Sequence, residues 1–160
     1  MAVEDKYVDS DIAAGKLGSA LAGGFAGLTG GNVLVQVAAA DDDGSKYRCF
    51  KNMSPDLVPL AILIQNDAIT SGTDYDLGLY ASGLGAVEDA DILIDGADLS
   101  SAGTTVYHLV DPANTGKALF ELAGDTVSTK KDGYDIVLTA NTVGSAAGDI
   151  AVAIVFAQGR

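Results

Sequence analysis

The apolar positions of this chain recur mostly with a period of two. Val33, Val35 and Val37 form one row, with Leu34 and Gln36 between them, which is strand periodicity. Asp41-Asp42-Asp43-Gly44 has turn chemistry, so Tyr47 to Lys51 is predicted to return as its hairpin partner. Val58, Leu60, Ile62 and Ile64 alternate along a further strand, and Pro59 marks it as an edge or a strand start. Tyr75, Leu77 and Leu79 share one face of the next. Ile92 and Ile94 flank Leu93 before Asp95-Gly96, and Val106, His108 and Val110 alternate with Tyr107 and Leu109. Tyr134, Ile136 and Leu138 follow the turn Lys131-Asp132-Gly133. Ile150, Val152, Ile154 and Phe156 form the last row, opposite Ala151, Ala153 and Ala157. That strand is apolar on both sides, so it is predicted to sit centrally between covered surfaces.

One segment has helical spacing. Asn114 or Thr115 is placed to cap it, Ala118, Leu119 and Leu122 share a side, and Gly124 suits the C′ position. This predicts a helix of about two turns near 116–123, held by packing rather than by propensity. About eight short strands and one helix predict an all-β fold. An antiparallel β-sandwich, jelly-roll-like, is preferred, and a closed barrel is the next alternative.

Residues 1–31 differ from the body. Asp9-Ser10-Asp11 could cap a short helix, but Gly15 and Gly18 weaken it by roughly 1 kcal/mol each relative to Ala. Glycine dominates from Gly23 to Gly31. Yet Tyr7, Val8, Ile12, Leu17, Leu21, Phe25 and Leu28 supply apolar groups that a solvated tail would not need. The expected division is an extended Gly/Ala-rich N-terminal arm over 1–31, ordered against its own body or a neighbour, and a sandwich domain over 32–160.

Composition sharpens this picture. The chain has 160 residues, with 9 basic and 22 acidic ones and a net charge of −13. Such a balance excludes binding to nucleic acid through clustered Lys and Arg, and it opposes attachment to anionic membranes. The acids are almost all Asp, with Glu only at Glu4, Glu88 and Glu121, which favours turns over helix interiors. Mean hydropathy is +0.27. The longest apolar runs, 57–64 and 150–157, are nonetheless too short to span a membrane. Cys49 is the single cysteine, so no intrachain disulfide is possible, and residues 1–6 lack the character of a signal peptide.

Candidate chemistry is sparse, and no cofactor or metal is predicted. Cys49 and His108 are each unique in the chain and both lie in strand text, where a packed role is expected. No Gly-x-Ser-x-Gly elbow occurs. Gly116-Lys117 would need Gly at position 111 and a hydroxyl at 118 to make a phosphate loop, but the residues are Asp111 and Ala118. Asp41/Asp43, Asp74/Asp76 and Asp89/Asp91 offer hard oxygens. Aligned to a calcium-binding EF-hand loop, however, Asp41 and Asp43 put Ala39 first and Phe50 last, which fails. An Asp pair for glycosidic hydrolysis is formally available, although nothing selects one pair and Trp is absent.

Several segments resemble a known family: residues 38–48 (AAADDDGSKYR), 67–80 (DAITSGTDYDLGLY), 89–99 (DADILIDGADL), 116–124 (GKALFELAG) and 134–149 (YDIVLTANTVGSAAGD), with 13–21 (AAGKLGSAL) matching more loosely. Together they are similar to the head decoration, or cement, proteins of tailed bacteriophages, which are encoded beside the major capsid protein. The resemblance implies a virion structural protein, not an enzyme, that sits on the outer surface of the head after a free period in the host cytoplasm. It implies the major capsid protein as partner, and it carries over no catalytic or ligand residue. On this reading the protein self-associates as a dimer or trimer and bridges capsid subunits. The expected contacts are the arm's Tyr7, Val8, Ile12, Leu17, Leu21 and Phe25. The competing reading is a fibre or tail-tip module that binds host glycans through exposed Tyr47, Tyr75, Tyr80 or Tyr107.

Overall fold

The computed structural model describes residues 5–7, 28–83, 85–107, 112–126 and 133–158. The strands are β1 (Asp5–Tyr7), β2 (Leu28–Val37), β3 (Ser45–Met53), β4 (Leu57–Asn66), β5 (Asp74–Ala81), β6 (Val87–Ala97), β7 (Gly103–Tyr107), β8 (Tyr134–Thr142) and β9 (Gly148–Gln158). One sheet has the order β1-β3-β8-β5-β6 and the other β2-β9-β4-β7. All pairings are antiparallel except β1 on β3. Each sheet draws its strands alternately from early and late in the chain. With β1 set aside, the two orders are those of a jelly roll, in which two Greek keys wind around one core. The expected sandwich is therefore observed.

The alternating rows fill the interior. Val33, Val35, Ile62, Ile64, Ile150, Val152, Ile154 and Phe156 face inward from one sheet, and Tyr47, Tyr75, Leu77, Leu79, Ile136 and Leu138 from the other, all at 5% exposure or less. Burial of such side chains supplies about 1.5–3 kcal/mol each and is the main force holding the layers together.

Local geometry departs from the sequence reading in four places. First, β3 is not the hairpin partner of β2. β2 pairs with β9 and β3 with β8, so the acidic turn carries the chain from one sheet to the other. Asp41 makes that arch possible. It is buried, and one carboxylate oxygen accepts the Ala38 N–H at 2.9 Å and the Tyr47 hydroxyl at 2.8 Å. Asp43 ties the arch to the end of the neighbouring strand β8 by accepting the Val143 N–H at 2.9 Å.

Second, the β4 row is broken by a bulge between Pro59 and Ala61, which leaves Pro59 buried and Leu60 48% exposed. The described part of β7 pairs with β4 only from Ile62 onward, so among the described residues Pro59 has a strand on one side only, the edge-like setting in which its missing N–H is tolerated. Third, the helix α1 is one turn, Leu119–Leu122, and neither Asn114 nor Thr115 caps it. A 3-10 turn takes up Pro112–Asn114, Gly116 has φ +83° and Ala118 is extended, so the helix cannot start earlier. Its first turn is closed instead by the Glu121 carboxylate, which accepts the Ala118 N–H at 2.8 Å. At the other end Gly124 (φ +80°) and Asp125 donate N–H groups to the Glu121 and Phe120 carbonyls, the paired bonds of a Schellman cap. The fourth departure concerns β9 and defines the surface described next.

Candidate interaction surface

β9 is central, as expected, because it pairs with β2 on one side and β4 on the other. No described element packs over its second face. Ala151, Ala153 and Ala157 are half-buried and Val155 is exposed. Cross-strand register builds a continuous patch from them. Leu34 on β2 is level with Ala151, and Ala153 is level with Leu63 on β4 and, beyond it, Val106 on β7. Leu34, Leu63, Val106 and Val155 are 51%, 37%, 57% and 42% exposed. The remaining outward positions are small or polar but uncharged, such as Asn32, Gln36, Gln65 and Thr104. A carboxylate appears only at one end, where Asp149 accepts from the Gln36 amide at 3.3 Å. For a chain of net charge −13, an uncharged sheet face this size is a departure that asks for a partner.

The outer face of the five-stranded sheet has the opposite character. Asp135 points outward on β8 yet is fully buried. Its carboxylate accepts from Arg48 at 3.1 Å, from the Asn52 N–H at 2.9 Å and from the Gly83 N–H at 3.0 Å. Tyr80 and Thr139 share a hydrogen bond of 3.1 Å beside it, and the Lys46 ammonium lies 5.4 Å from the Tyr80 ring. Gly78 and Val137 are level with each other on this face. A Cβ at Gly78 would come within 2.2 Å of the Ala90 carbonyl, so the backbone of β6 lies directly over that glycine. The acids singled out in the sequence act in the same structural way. Asp76 accepts the Gly96 N–H at 2.8 Å and the Asn141 amide at 2.5 Å. Asp89 is pushed above the usual carboxylate range, first by desolvation and then by Asp91 beside it. Among the described residues no three His, Cys, Asp or Glu side chains converge into a metal-binding group.

The other candidates fall as follows. Tyr7 lies in β1, whose backbone runs beside Arg48 of β3. Val8, Ile12, Leu17, Leu21 and Phe25 lie outside the described residues, as does His108. Leu28 to Gly31, read in the sequence as the end of the arm, form the first residues of β2. Cys49 is buried, and desolvation pushes its thiol up to about 12. Three of the four tyrosines proposed as an exposed glycan platform are not exposed. Tyr47, Tyr75 and Tyr80 are buried, with two of their hydroxyls bound to Asp41 and to the Val143 carbonyl, and Tyr107 is half-buried. The apolar sheet face was missed in the sequence. Its only sign there was the lack of any charge across Val33 to Val37, Leu57 to Gln65 and Ile150 to Gln158.

Jelly rolls serve in viral shells, lectins and cupins alike, so the topology by itself defines an architecture and not an activity. Comparison with solved structures narrows the company it keeps. A chain in the capsid of Ralstonia phage GP4 superposes with a TM-score of 0.58 at 14% identity, covering 83% of this chain and 85% of that one. A chain of the cyanophage Pam1 capsid asymmetric unit gives 0.50 at 15% identity, covering 84% and 88%. These similarities establish a shared fold. No protein-family model matches the chain, and no curated protein matches it by sequence.

Proposed function

We propose that this chain is a structural protein of a tailed-bacteriophage head, a decoration or cement protein that binds the assembled shell and bridges neighbouring major capsid subunits. The observation that carries this reading is the near end-to-end coincidence of its sandwich with chains from two phage capsids, over 83% and 84% of its length. Those chains are also about this size, since the matched parts cover 85% and 88% of them. The physical character of the molecule is consistent with the role. Several of the described acids, among them Asp41, Asp43, Asp76 and Asp135, serve as internal ties for turns and strand ends, and one sheet face carries charge only at one end. Many weak identical contacts on a symmetric lattice would supply avidity without a strong single site.

In this reading the N-terminal arm, through Tyr7, Val8, Ile12, Leu17, Leu21 and Phe25, is the attachment element. The body faces outward, and its net negative charge opposes non-specific aggregation of free protein in the host cytoplasm. The test is binding of purified protein to undecorated heads. Full-length protein is expected to occupy the lattice in hundreds of copies per particle. A chain lacking residues 1–27, which leaves β2 intact, is expected to fold and to fail to bind. A few tens of copies per virion would place the protein at the tail or a vertex instead. Full occupancy by the truncated chain would remove the arm from the account.

A further inference from the structure

The uncovered outer face of the β2-β9-β4-β7 sheet has a shape as well as a composition. On the central strand Ala151 and Ala153 form a shallow trough, and Leu34 and Leu63 stand level with them on either side. We infer that this face is a self-association surface whose occupant is a second copy of the same chain, packed sheet to sheet about a two-fold axis. Three considerations select that occupant.

The first is electrostatic. Two copies of net charge −13 repel, and they meet with least cost through a face whose carboxylates, Asp149 and Asp67, are confined to one end. A cationic partner would instead be matched by acids across this face, and among its described residues they occur only at one end, at Asp149 and Asp67. The second is shape. A two-fold axis near Ala153 sets the leucine shoulder of one copy into the alanine trough of the other, the interdigitation that aligned sheets use at a spacing of ~10 Å. The third is area. Four strands at ~4.8 Å spacing over about 30 Å of strand length give roughly 570 Å² per copy, or about 1,100 Å² in total. This clears the ~1,000 Å² that a specific interface requires. The inference does not depend on the proposed virion role, because it concerns the isolated protein.

The experiment is sedimentation velocity on the full-length chain from low micromolar to several hundred micromolar, at low and high salt. A dimer is expected, and it should tighten as salt screens the repulsion between copies. Leu63→Lys and Val155→Lys place a charge at exposed positions and are expected to weaken dimerisation by about 30-fold or more, with unchanged circular dichroism. Should either variant fail to fold, Ala153→Cys provides a second reading. It is expected to cross-link two copies on oxidation, with Cys49 silent because it is buried. A monomer at every concentration, undiminished dimerisation of both lysine variants, or no cross-link at position 153 would overturn the inference. A full-length monomer alongside a dimeric chain lacking residues 1–27 would assign the face to the chain's own N-terminal segment. A monomer whose lysine variants fail only on heads would assign it to a shell protein. Both of those results also overturn self-association.

Discussion

The Arg48 guanidinium and the Asp135 carboxylate meet at 3.1 Å on the outer face of the five-stranded sheet, the acid entirely buried and the base 17% exposed. Asp135 also gathers the backbone N–H groups of Asn52, which has φ +53°, and Gly83. One carboxylate thus joins β8 to the end of β3 and to the turn after β5. Removing one member of a buried pair leaves the other charge stranded, at a cost of about 3–5 kcal/mol. Asp135→Ala is therefore expected to lower the urea midpoint severely. Arg48→Met should cost less, because the two backbone donors still satisfy the acid.

Gly78 is required by space and not by backbone angle. A methyl group there would strike the Ala90 carbonyl at 2.2 Å. Gly78→Ala is expected to cost at least about 2–3 kcal/mol, since the obstacle is backbone that cannot swing aside. Amide exchange should speed up in β5 and β6 while β2 and β9 keep their protection. Uniform loss of protection would show that the two sheets unfold together.

The one-turn helix depends on its ends. Glu121→Ala removes the acceptor of the Ala118 N–H, and Gly124→Ala puts a side chain at φ +80°. Each is expected to cost about 1 kcal/mol, and their sum to be additive only if the ends act independently. Denaturant unfolding of the two single variants and the double variant reads both quantities.

Alkaline pH should destabilise the core. Burial pushes the Cys49 thiol from 9.0 to about 12. Burial, then the bond to Asp41, raises Tyr47 well above 10.0, and burial followed by the charges of Asp41 and Asp43 raises Tyr75 in the same direction. For an acid whose folded pKa is raised, the folded state holds its proton more tightly. Stability is therefore intact below the unfolded value and is lost as pH rises through the folded one. Melting temperature is expected to be flat from pH 7 to about 9 and to fall steadily up to about 12. Native Cys49 should resist alkylation at pH 8 and react only after unfolding.

Much of the sandwich was legible because inward rows such as Val33/Val35/Val37 and Ile150/Val152/Ile154 alternate cleanly. What the pattern lacked was pairing. Asp41 to Gly44 reads as a local hairpin, yet it crosses between sheets, because the strand that completes β2 lies more than a hundred residues on. Outward positions misled in both directions. Asp76, offered in the sequence as a hard-oxygen donor, is buried as a structural tie, while the alanines of β9 read as covered and are only half-buried. Side-chain type reports hydropathy, and hydropathy alone does not tell a strand face covered within the molecule from one left open. The arm is the part of the candidate site most visible in the sequence, and apart from Tyr7 its contact residues lie outside the described residues.

The register of β2 against β9 sets Leu28 beside Ala157 and Val37 beside Gly148. During synthesis β2 therefore stays unjoined to β4 and β7 until β9, more than a hundred residues further on, has been made and has cleared the ribosome tunnel. Closing so large a loop is slow, of the order of milliseconds to seconds. Any encounter with a partner through that sheet therefore waits on β9.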